Sequence, residues 1–175
     1  MKIYYKMFII LCITILSVLP ASHLNHYVIT EPYVYPCRPG TVEWSQFVDF
    51  GEMLTACDIP RNTLTYLSTH ALLETILDHP LLNTVFSYND IKLGFSFFCK
   101  NFNGIPEYLN RPDAATVLIE AYQELLAQYT SSTETEARYQ MTYKIEFLKL
   151  LSACQQIQDR LTDDDRKALE LILNR

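Results

Sequence analysis

Residues 89–99, which read Asn-Asp-Ile-Lys-Leu-Gly-Phe-Ser-Phe-Phe-Cys, are the stretch that decides the fold. Asn89 or Asp90 can cap a helix by accepting a hydrogen bond from a free amide of its first turn. Apolar side chains follow on nearly every side of that helix: Ile91, Leu93, Phe95, Phe97, Phe98 and Cys99. Because a helix that is apolar nearly all round is typical of a protein interior, this segment is predicted to be the central helix of the core.

Helical periodicity continues on the N-terminal side of this segment. From Thr41 onward apolar residues recur three and four positions apart, which predicts one buried face. They are Trp44, Phe47, Val48, Met53, Leu54 and Cys57. Pro60 can begin a short helix that reaches Leu67. Ser68 or Thr69 then caps a helix whose inward side chains are Leu72, Leu73, Ile76 and Leu77, and Pro80 ends it.

The C-terminal half follows the same helical pattern. Residues 105–110 are predicted to form a turn or a single helical turn, and helices are expected over about 111–129 and 134–160. A polar loop at 130–133 separates those two helices, and Thr162 caps a last helix that begins with three aspartates. No segment alternates between apolar and polar residues as a half-buried strand does.

The predicted fold is therefore all-α. We expect an irregular bundle or stack of six to eight short and medium helices, which follows an extended N-terminal arm. Residues 41–175 are expected to form a single helical domain, because their length suits one hydrophobic core.

The first 21 residues have the pattern of an export signal. Lys2 and Lys6 precede an apolar run from Phe8 to Leu19, and Pro20, Ala21 and Ser22 supply a helix breaker and small residues for cleavage. Cleavage after Ala21 is expected, and the mature protein is expected to be secreted or periplasmic. No other segment is apolar over the length of about 20 residues that a bilayer requires.

Residues 22–40 are predicted to form an extended arm. Pro32, Pro36 and Pro39 disfavour helix there. The arm carries Tyr33 and Tyr35, and together with Trp44 and Tyr108 these aromatics are the candidate binding residues, since tyrosine and tryptophan are common anchors of interfaces. The alternative is that such aromatics seal the small helices against the arm, because each buries a large apolar area.

The charge balance limits the classes of partner. The chain has 14 basic and 20 acidic residues, and loss of Lys2 and Lys6 with the signal leaves 12 against 20, a net charge of −8. Nucleic acids and anionic membranes attract clustered lysine and arginine, so neither is expected as a partner. A protein or another envelope component is the expected partner, and no cofactor is expected.

The number of cysteines allows two interpretations. Cys12 lies in the signal, so Cys37, Cys57, Cys99 and Cys154 remain in the exported chain. An even number of cysteines in an exported protein is compatible with disulfides, in any of three pairings. Buried free thiols are the alternative, because cysteine packs well as a small apolar group.

A series of short motifs lies between residues 52 and 122. These motifs are Met53-Leu-Thr-Ala-Cys-Asp-Ile-Pro60, Ser68-Thr69 with Leu72, Glu74 and Thr75, Pro80-Leu81, the segment 86–94, Asn101-Phe-Asn-Gly104 and Arg111-Pro-Asp-Ala114. In this order they resemble an uncharacterised all-helical module of secreted bacterial proteins. The resemblance implies a bacterial, exported, all-α protein, and it implies no catalytic residue.

One stripe of polar residues is a candidate metal site. His70, Glu74 and Asp78 are four residues apart and so lie on one side of a helix, where a histidine and a glutamate one turn apart can share a divalent metal. An exposed helix face has the same pattern, and a zinc site needs three or four protein ligands.

The function expected from the sequence is non-enzymatic. It is a protein-interaction or adaptor module of the bacterial envelope that acts through the arm and the turn at 101–111, because loops often carry function. Two alternatives remain. One is a small secreted hydrolase of cell-wall or glycan substrates that uses Glu74 or Asp78. The other is a carrier of a small apolar ligand, whose cavity would be lined by the helix at 95–98.

Overall fold

Nine α-helices and two short 3₁₀ helices make up the described part of the chain, residues 27–174, in a computed structural model. The α-helices are α1 Phe50–Ala56, α2 Arg61–Tyr66, α3 Thr69–Leu77, α4 Ile91–Asn101, α5 Gly104–Asn110, α6 Ala114–Ser131, α7 Thr135–Ser152, α8 Gln155–Gln158 and α9 Asp163–Leu173. The 3₁₀ helices are Trp44–Gln46 and Leu82–Ser87. The all-α prediction is confirmed for these residues, and the predicted signal at 1–21 lies outside them.

Side-chain caps explain where four of the helices begin. Asp49, Ser68, Asp90 and Thr162 each accept a hydrogen bond from a free backbone amide in the first turn of α1, α3, α4 and α9. At α9 the Asp165 carboxylate also accepts from the Thr162 amide, which completes a capping box. The structure therefore selects Ser68 over Thr69 and Asp90 over Asn89, and the cap predicted at Thr162 is confirmed.

Helix α3 lies at the centre of the core. Leu72, Leu73 and Ile76 are almost completely buried, and α3 packs against both α5 and α6. Helix α6 also packs against α7 and α9. Seven of the nine residues of α3 are buried, and all seven are apolar or small. Only a central position allows so many buried side chains.

The prediction that α4 is the central helix is wrong. Within α4 only Gly94 and Phe98 are buried, and Leu93 has 63% of its surface exposed. Helix α4 packs mainly against the 3₁₀ helix Leu82–Ser87. It contacts the core through Phe98, while Leu93 is largely exposed.

Two helices predicted from periodicity are interrupted in the structure. The segment 134–160 divides into α7 and α8 because Cys154 has an extended backbone, with φ −66° and ψ 136°. The segment from Thr41 to Cys57 is interrupted at Phe47, which is also extended. That break leaves Val48 exposed, against the prediction that it faces inward. The loop predicted at 130–133 starts later, since α6 continues to Ser131.

The arm is extended from Tyr27 to Cys37 and lies along α3. The Ile29 amide donates to the Tyr66 carbonyl (2.8 Å), and the Ser68 amide donates to the Ile29 carbonyl (2.8 Å). The resulting parallel bridge between Ile29 and Leu67 fixes the start of the arm at the N-terminus of α3. Side chains alternate along extended backbone, so Tyr33, Tyr35 and Cys37 share the inward side.

Candidate functional site

The predicted stripe lies on the exposed side of α3. His70 and Glu74 are each about half exposed, and the His70 Nδ1 atom lies 3.7 Å from the Glu74 Oε2 atom. That separation is too long for a hydrogen bond. Asp78, at the C-terminal end of the helix, forms an ion pair with Arg38 of the arm. The structure therefore brings His70 and Glu74 together and directs Asp78 to a different partner.

A groove runs beside this stripe, between the arm, α3, α6 and α7. Its volume is about 290 Å³. The polar side chains along it are His70, Glu74, Asp78, Glu124, Gln128 and Lys144. Glu74 and Glu124 come from different helices, so the groove places two carboxyl groups along one depression. Both signs of charge line it, since Lys144 of α7 is among its lining residues.

The stripe brings few metal ligands together in the described residues. Within residues 27–174, no group of three or more His, Cys, Asp and Glu side chains is arranged to hold a metal ion. Asp78 is neutralised by Arg38, which leaves only His70 and Glu74 as neighbouring ligands. Two ligands are fewer than a protein zinc site requires. His70 and Glu74 lie on an exposed face of α3.

A second groove lies on the other side of Asp78, with a volume of about 250 Å³. Arg38, His79, Gln140 and Lys144 are among its lining residues. It shares Leu77, Asp78 and Lys144 with the first groove, so the ion pair between Arg38 and Asp78 stands where the two grooves meet.

His79, at the inner edge of the second groove, is a buried and neutral histidine. Only 4% of its surface is exposed, and its Nδ1 atom accepts a hydrogen bond from the Leu81 amide (3.0 Å). Its Nε2 atom therefore carries the hydrogen, and it has no hydrogen-bond partner. Burial, with a smaller contribution from the Arg38 charge, lowers the pKa of His79 to about 3.

Aromatic rings surround His79. The ring centroids of Tyr35, Phe98 and Phe102 lie 5.3, 4.8 and 4.3 Å from that of the imidazole. Such edge-to-face packing suits a neutral ring and gives no counter-charge to an imidazolium. The sequence pattern did not identify His79, because its burial depends on the arm and on the end of α4, both distant along the chain.

Two of the candidate binding tyrosines are buried. Tyr35 has 3% of its surface exposed, and its hydroxyl donates to the Thr75 carbonyl of α3 (3.0 Å). Tyr108 is completely buried, and its hydroxyl donates to the Ala114 carbonyl (2.7 Å). Burial raises the pKa of both phenols. Neither phenol is available at the surface, and for Tyr35 the alternative of sealing the arm against the helices describes the structure.

The other two candidates are partly buried. The Tyr33 ring packs on Tyr35 at a centroid distance of 5.3 Å, while its backbone amide donates to the Thr75 hydroxyl (2.9 Å). Trp44 packs edge to face on Phe47 (5.6 Å). Both contact the core, so the four candidates do not assemble into one exposed surface.

A different set of apolar side chains is exposed together. We define the aromatic patch as Phe50, Tyr88, Leu93 and Phe97. The Phe97 ring stacks on Phe50 (6.1 Å between centroids) and lies 5.9 Å from Tyr88. Leu93 is one turn before Phe97 on α4, on the same side of the helix. Phe50, Tyr88 and Leu93 are all exposed, so the patch presents apolar surface to solvent.

The four cysteines within residues 27–174 are free thiols in this structure. Cys37 and Cys57 are buried, whereas Cys99 and Cys154 are partly buried. Burial raises the pKa of Cys57 and of Cys99 to about 12, and it also raises that of Cys154. Thiols of this kind are inert nucleophiles, because the thiolate is the reactive form.

No family model, curated protein or solved structure matches this chain. The resemblance to a secreted bacterial module stays a prediction. Among the helices within residues 27–174, none combines the length and the apolar character that crossing a membrane requires.

Proposed function

We propose that the protein is a non-enzymatic interaction module of the bacterial envelope that binds a protein partner through the aromatic patch. The observation that carries this proposal is the exposure of Leu93 and Phe50 beside the stacked Phe97 and Tyr88 rings. Exposed apolar surface rimmed by polar residues is typical of a protein-binding site. This surface replaces the arm tyrosines, which are occupied in packing.

The rim of the patch suggests the charge of the partner. Asp49 directly precedes Phe50, Glu52 accepts a hydrogen bond from the Val48 amide (2.8 Å), and Asp90 caps α4. The whole chain is also acidic, with a net charge of −6. A partner with an apolar centre and a basic rim would complement this surface, and opposite charges would speed the encounter.

Export is the second part of the proposal. It is supported by the apolar run from Phe8 to Leu19 behind Lys2 and Lys6, which lies outside the described residues. Expression in an exporting bacterial host should release a chain that begins at Ser22 in the periplasm or medium. N-terminal sequencing of full-length protein retained in the cytoplasm would contradict export and leave the binding proposal to its own test.

The binding test compares two exposed leucines. Leu93→Asp places a charge in the patch, whereas Leu171→Asp places the same charge on α9, where Leu171 is 69% exposed. Purified wild-type and variant proteins are cross-linked in an envelope fraction and captured proteins are quantified by mass spectrometry. We expect at least one basic protein whose capture falls about tenfold with Leu93→Asp and weakens as salt rises, since a charge buried in an interface is costly.

Two outcomes would contradict this proposal. Equal capture by the Leu93 and Leu171 variants would show that the patch is not the binding surface. Loss of a wild-type dimer in Leu93→Asp, measured by sedimentation, would show that a second copy of the chain covers the patch.

The groove beside α3 favours one alternative, a small secreted hydrolase. Glu74 and Glu124 line it from two helices, and glycosidases hold two carboxyl groups across a cleft. Turnover of a cell-wall glycan that is abolished by Glu74→Gln, but kept by Glu120→Gln on the exposed side of α6, would support this alternative.

The structure offers less to the carrier alternative. Phe95 and Phe98 pack on Phe147, with ring centroids 5.5 and 5.6 Å apart. The two rings that would line the cavity are therefore already packed on another side chain.

A further inference from the structure

The second groove carries a net positive charge. Three charged side chains line it: Arg38 of the arm, Asp78 at the end of α3 and Lys144 of α7. Arg38 and Asp78 form an ion pair, so their charges cancel and the ammonium of Lys144 remains. His79 adds no charge, because burial keeps its imidazole neutral. In a chain with 20 acidic and 14 basic residues this positive groove is a local exception, and it favours an anionic ligand.

Arg38 is held in place from two sides. Its guanidinium carbon lies 5.7 Å from the centroid of the Tyr35 ring, and its Nη1 and Nη2 atoms donate to the two carboxylate oxygens of Asp78. Nη1 also donates to the Asp78 carbonyl (3.5 Å). Since a guanidinium has five N–H donors, the Nε–H and one Nη2–H are left for a ligand. The Arg38 side chain is already ordered, so a ligand that binds it meets little further cost in side-chain entropy.

Lys144 supplies a cation without a counter-charge. It is partly buried, and within residues 27–174 its ammonium forms no ion pair, although Glu74 and Glu124 line the neighbouring groove. A charge that is partly removed from water is stabilised when an opposite charge pairs with it. The side-chain amides of Asn83 and Gln140 line the same groove and add further N–H donors.

His79 provides an independent observation. It lines the inner edge of this groove, and its buried Nε2–H has no acceptor in the part of the chain that the structure describes. The large majority of buried side-chain polar atoms in native proteins are hydrogen-bonded, and a bound ion is one recognised explanation of an exception. The inner edge of the groove thus lacks an acceptor, as do Arg38 and Lys144 at its sides.

We propose that the second groove is a binding site for a small molecule that bears an oxyanion, either a carboxylate or a phosphate. The oxyanion accepts charge-assisted hydrogen bonds from the Arg38 guanidinium and the Lys144 ammonium. The groove volume of about 250 Å³ lies just below the range of about 300–1,000 Å³ that is usual for drug-sized ligands, so the ligand is small. None of the lining residues belongs to the aromatic patch, so this site is separate from the proposed protein-binding surface.

The test is an NMR titration of full-length ¹⁵N-labelled protein at constant ionic strength. Sodium phosphate and sodium acetate are added in separate titrations, and sodium chloride maintains the ionic strength. We expect saturating shifts of the amide signals of Arg38, Asn83 and Lys144, while that of Gly51 stays in place. The anion that saturates at the lower concentration shows whether the site prefers phosphate or carboxylate. Shifts that fail to saturate with both anions, or that saturate only outside the groove, would overturn the proposal.

A matched pair of lysine variants tests whether binding occurs in the groove. Lys144→Gln removes the cation without a counter-charge, whereas Lys149→Gln removes a cation of the same helix that pairs with Glu146 outside the groove. We expect Lys144→Gln to raise the Kd of the preferred anion about tenfold, because a hydrogen bond to a charged group is lost. Lys149→Gln should change it by less than about twofold, since a distant exposed charge is screened. Circular dichroism checks that both variants fold, and equal Kd values for the two variants would contradict the assignment.

Discussion

At the scale of single residues, His79 makes the stability of the fold depend on pH. Its pKa is about 3 in the native protein and 6.5 when unfolded. Between these values the unfolded chain binds a proton that the native protein does not, so stability falls as the pH falls. The contribution of neutral His79 to the free energy of unfolding is complete above about pH 6.5, and roughly 3 kcal/mol of it is lost by pH 4.5. Urea unfolding at successive pH values measures this loss.

The control for His79 is asparagine. In His79→Asn the amide oxygen can replace Nδ1 as acceptor for the Leu81 amide, but it does not titrate. The variant is expected to be less stable at neutral pH, because a ring is lost from the core, and to lose less stability on acidification than wild type. An identical slope in both proteins would contradict the assignment. NMR titration of the wild-type imidazole measures the pKa of His79 independently.

Tyr35 is the second residue whose role can be isolated. Its hydroxyl donates to the Thr75 carbonyl in the last turn of α3, where backbone acceptors lack helical partners. Tyr35→Phe keeps the ring and leaves that carbonyl without a donor, so we expect a loss of about 1–3 kcal/mol in urea unfolding. Tyr27→Phe changes an exposed tyrosine and should have no measurable effect. Equal losses in the two variants would count against this role.

At the scale of elements, Gly94 permits the packing of α4 on the 3₁₀ helix Leu82–Ser87. A Cβ atom at this position would lie 2.2 Å from the Val85 carbonyl oxygen, which belongs to backbone and cannot rotate away. Gly94→Ala should therefore destabilise the protein by roughly 1–3 kcal/mol despite the better helix propensity of alanine. Differential scanning calorimetry measures the change.

The matched control is Gly51→Ala in α1. There the nearest atom is an oxygen of the Asp49 side chain at 3.2 Å, which can move by a few tenths of an ångström. We expect a change near zero, because the gain in helix propensity offsets this adjustment. If Gly94→Ala were equally neutral, the close approach of α4 to Val85 would not be required for folding.

Helix boundaries could be predicted from the sequence where they depend on neighbouring residues. The caps at Ser68, Asp90 and Thr162 each join residues two or three positions apart, and all three are present. The breaks at Phe47 and Cys154 were not predictable, because apolar periodicity continues across both of them. The position of α4 was also missed, since composition shows that a helix is apolar but not which neighbour covers it.

At the scale of the whole molecule, the arm closes the fold by bonding to α3. The Tyr33 amide donates to the Thr75 hydroxyl, which itself donates to the Ala71 carbonyl (2.7 Å). Thr75→Val removes the acceptor while keeping the shape, so the Tyr33 amide should exchange hydrogen at least tenfold faster, because its protection depends on that bond. Hydrogen exchange followed by NMR measures it. Thr65→Val on exposed α2 is the control, and an unchanged Tyr33 amide in Thr75→Val would show that the arm is held elsewhere.

Some features of the candidate sites were predicted from the sequence, and others became visible only in the structure. The sequence placed His70 and Glu74 on one helix face, because a spacing of four residues lies within a single helix. It did not predict that Arg38 pairs with Asp78, that Glu124 and Glu74 line one groove, or that Tyr35 and Tyr108 are buried. Each of these facts joins residues from separate elements.

The sequence by itself determined the all-α class, most helix starts and the extended arm, because periodicity, capping and proline act over a few residues. Only the tertiary structure decided that α3 is central, that His79 is buried and neutral, and that Phe50, Tyr88, Leu93 and Phe97 form an exposed patch. The reason is physical. Burial and pKa depend on which elements cover a side chain, and that choice is made by packing the whole chain around one core.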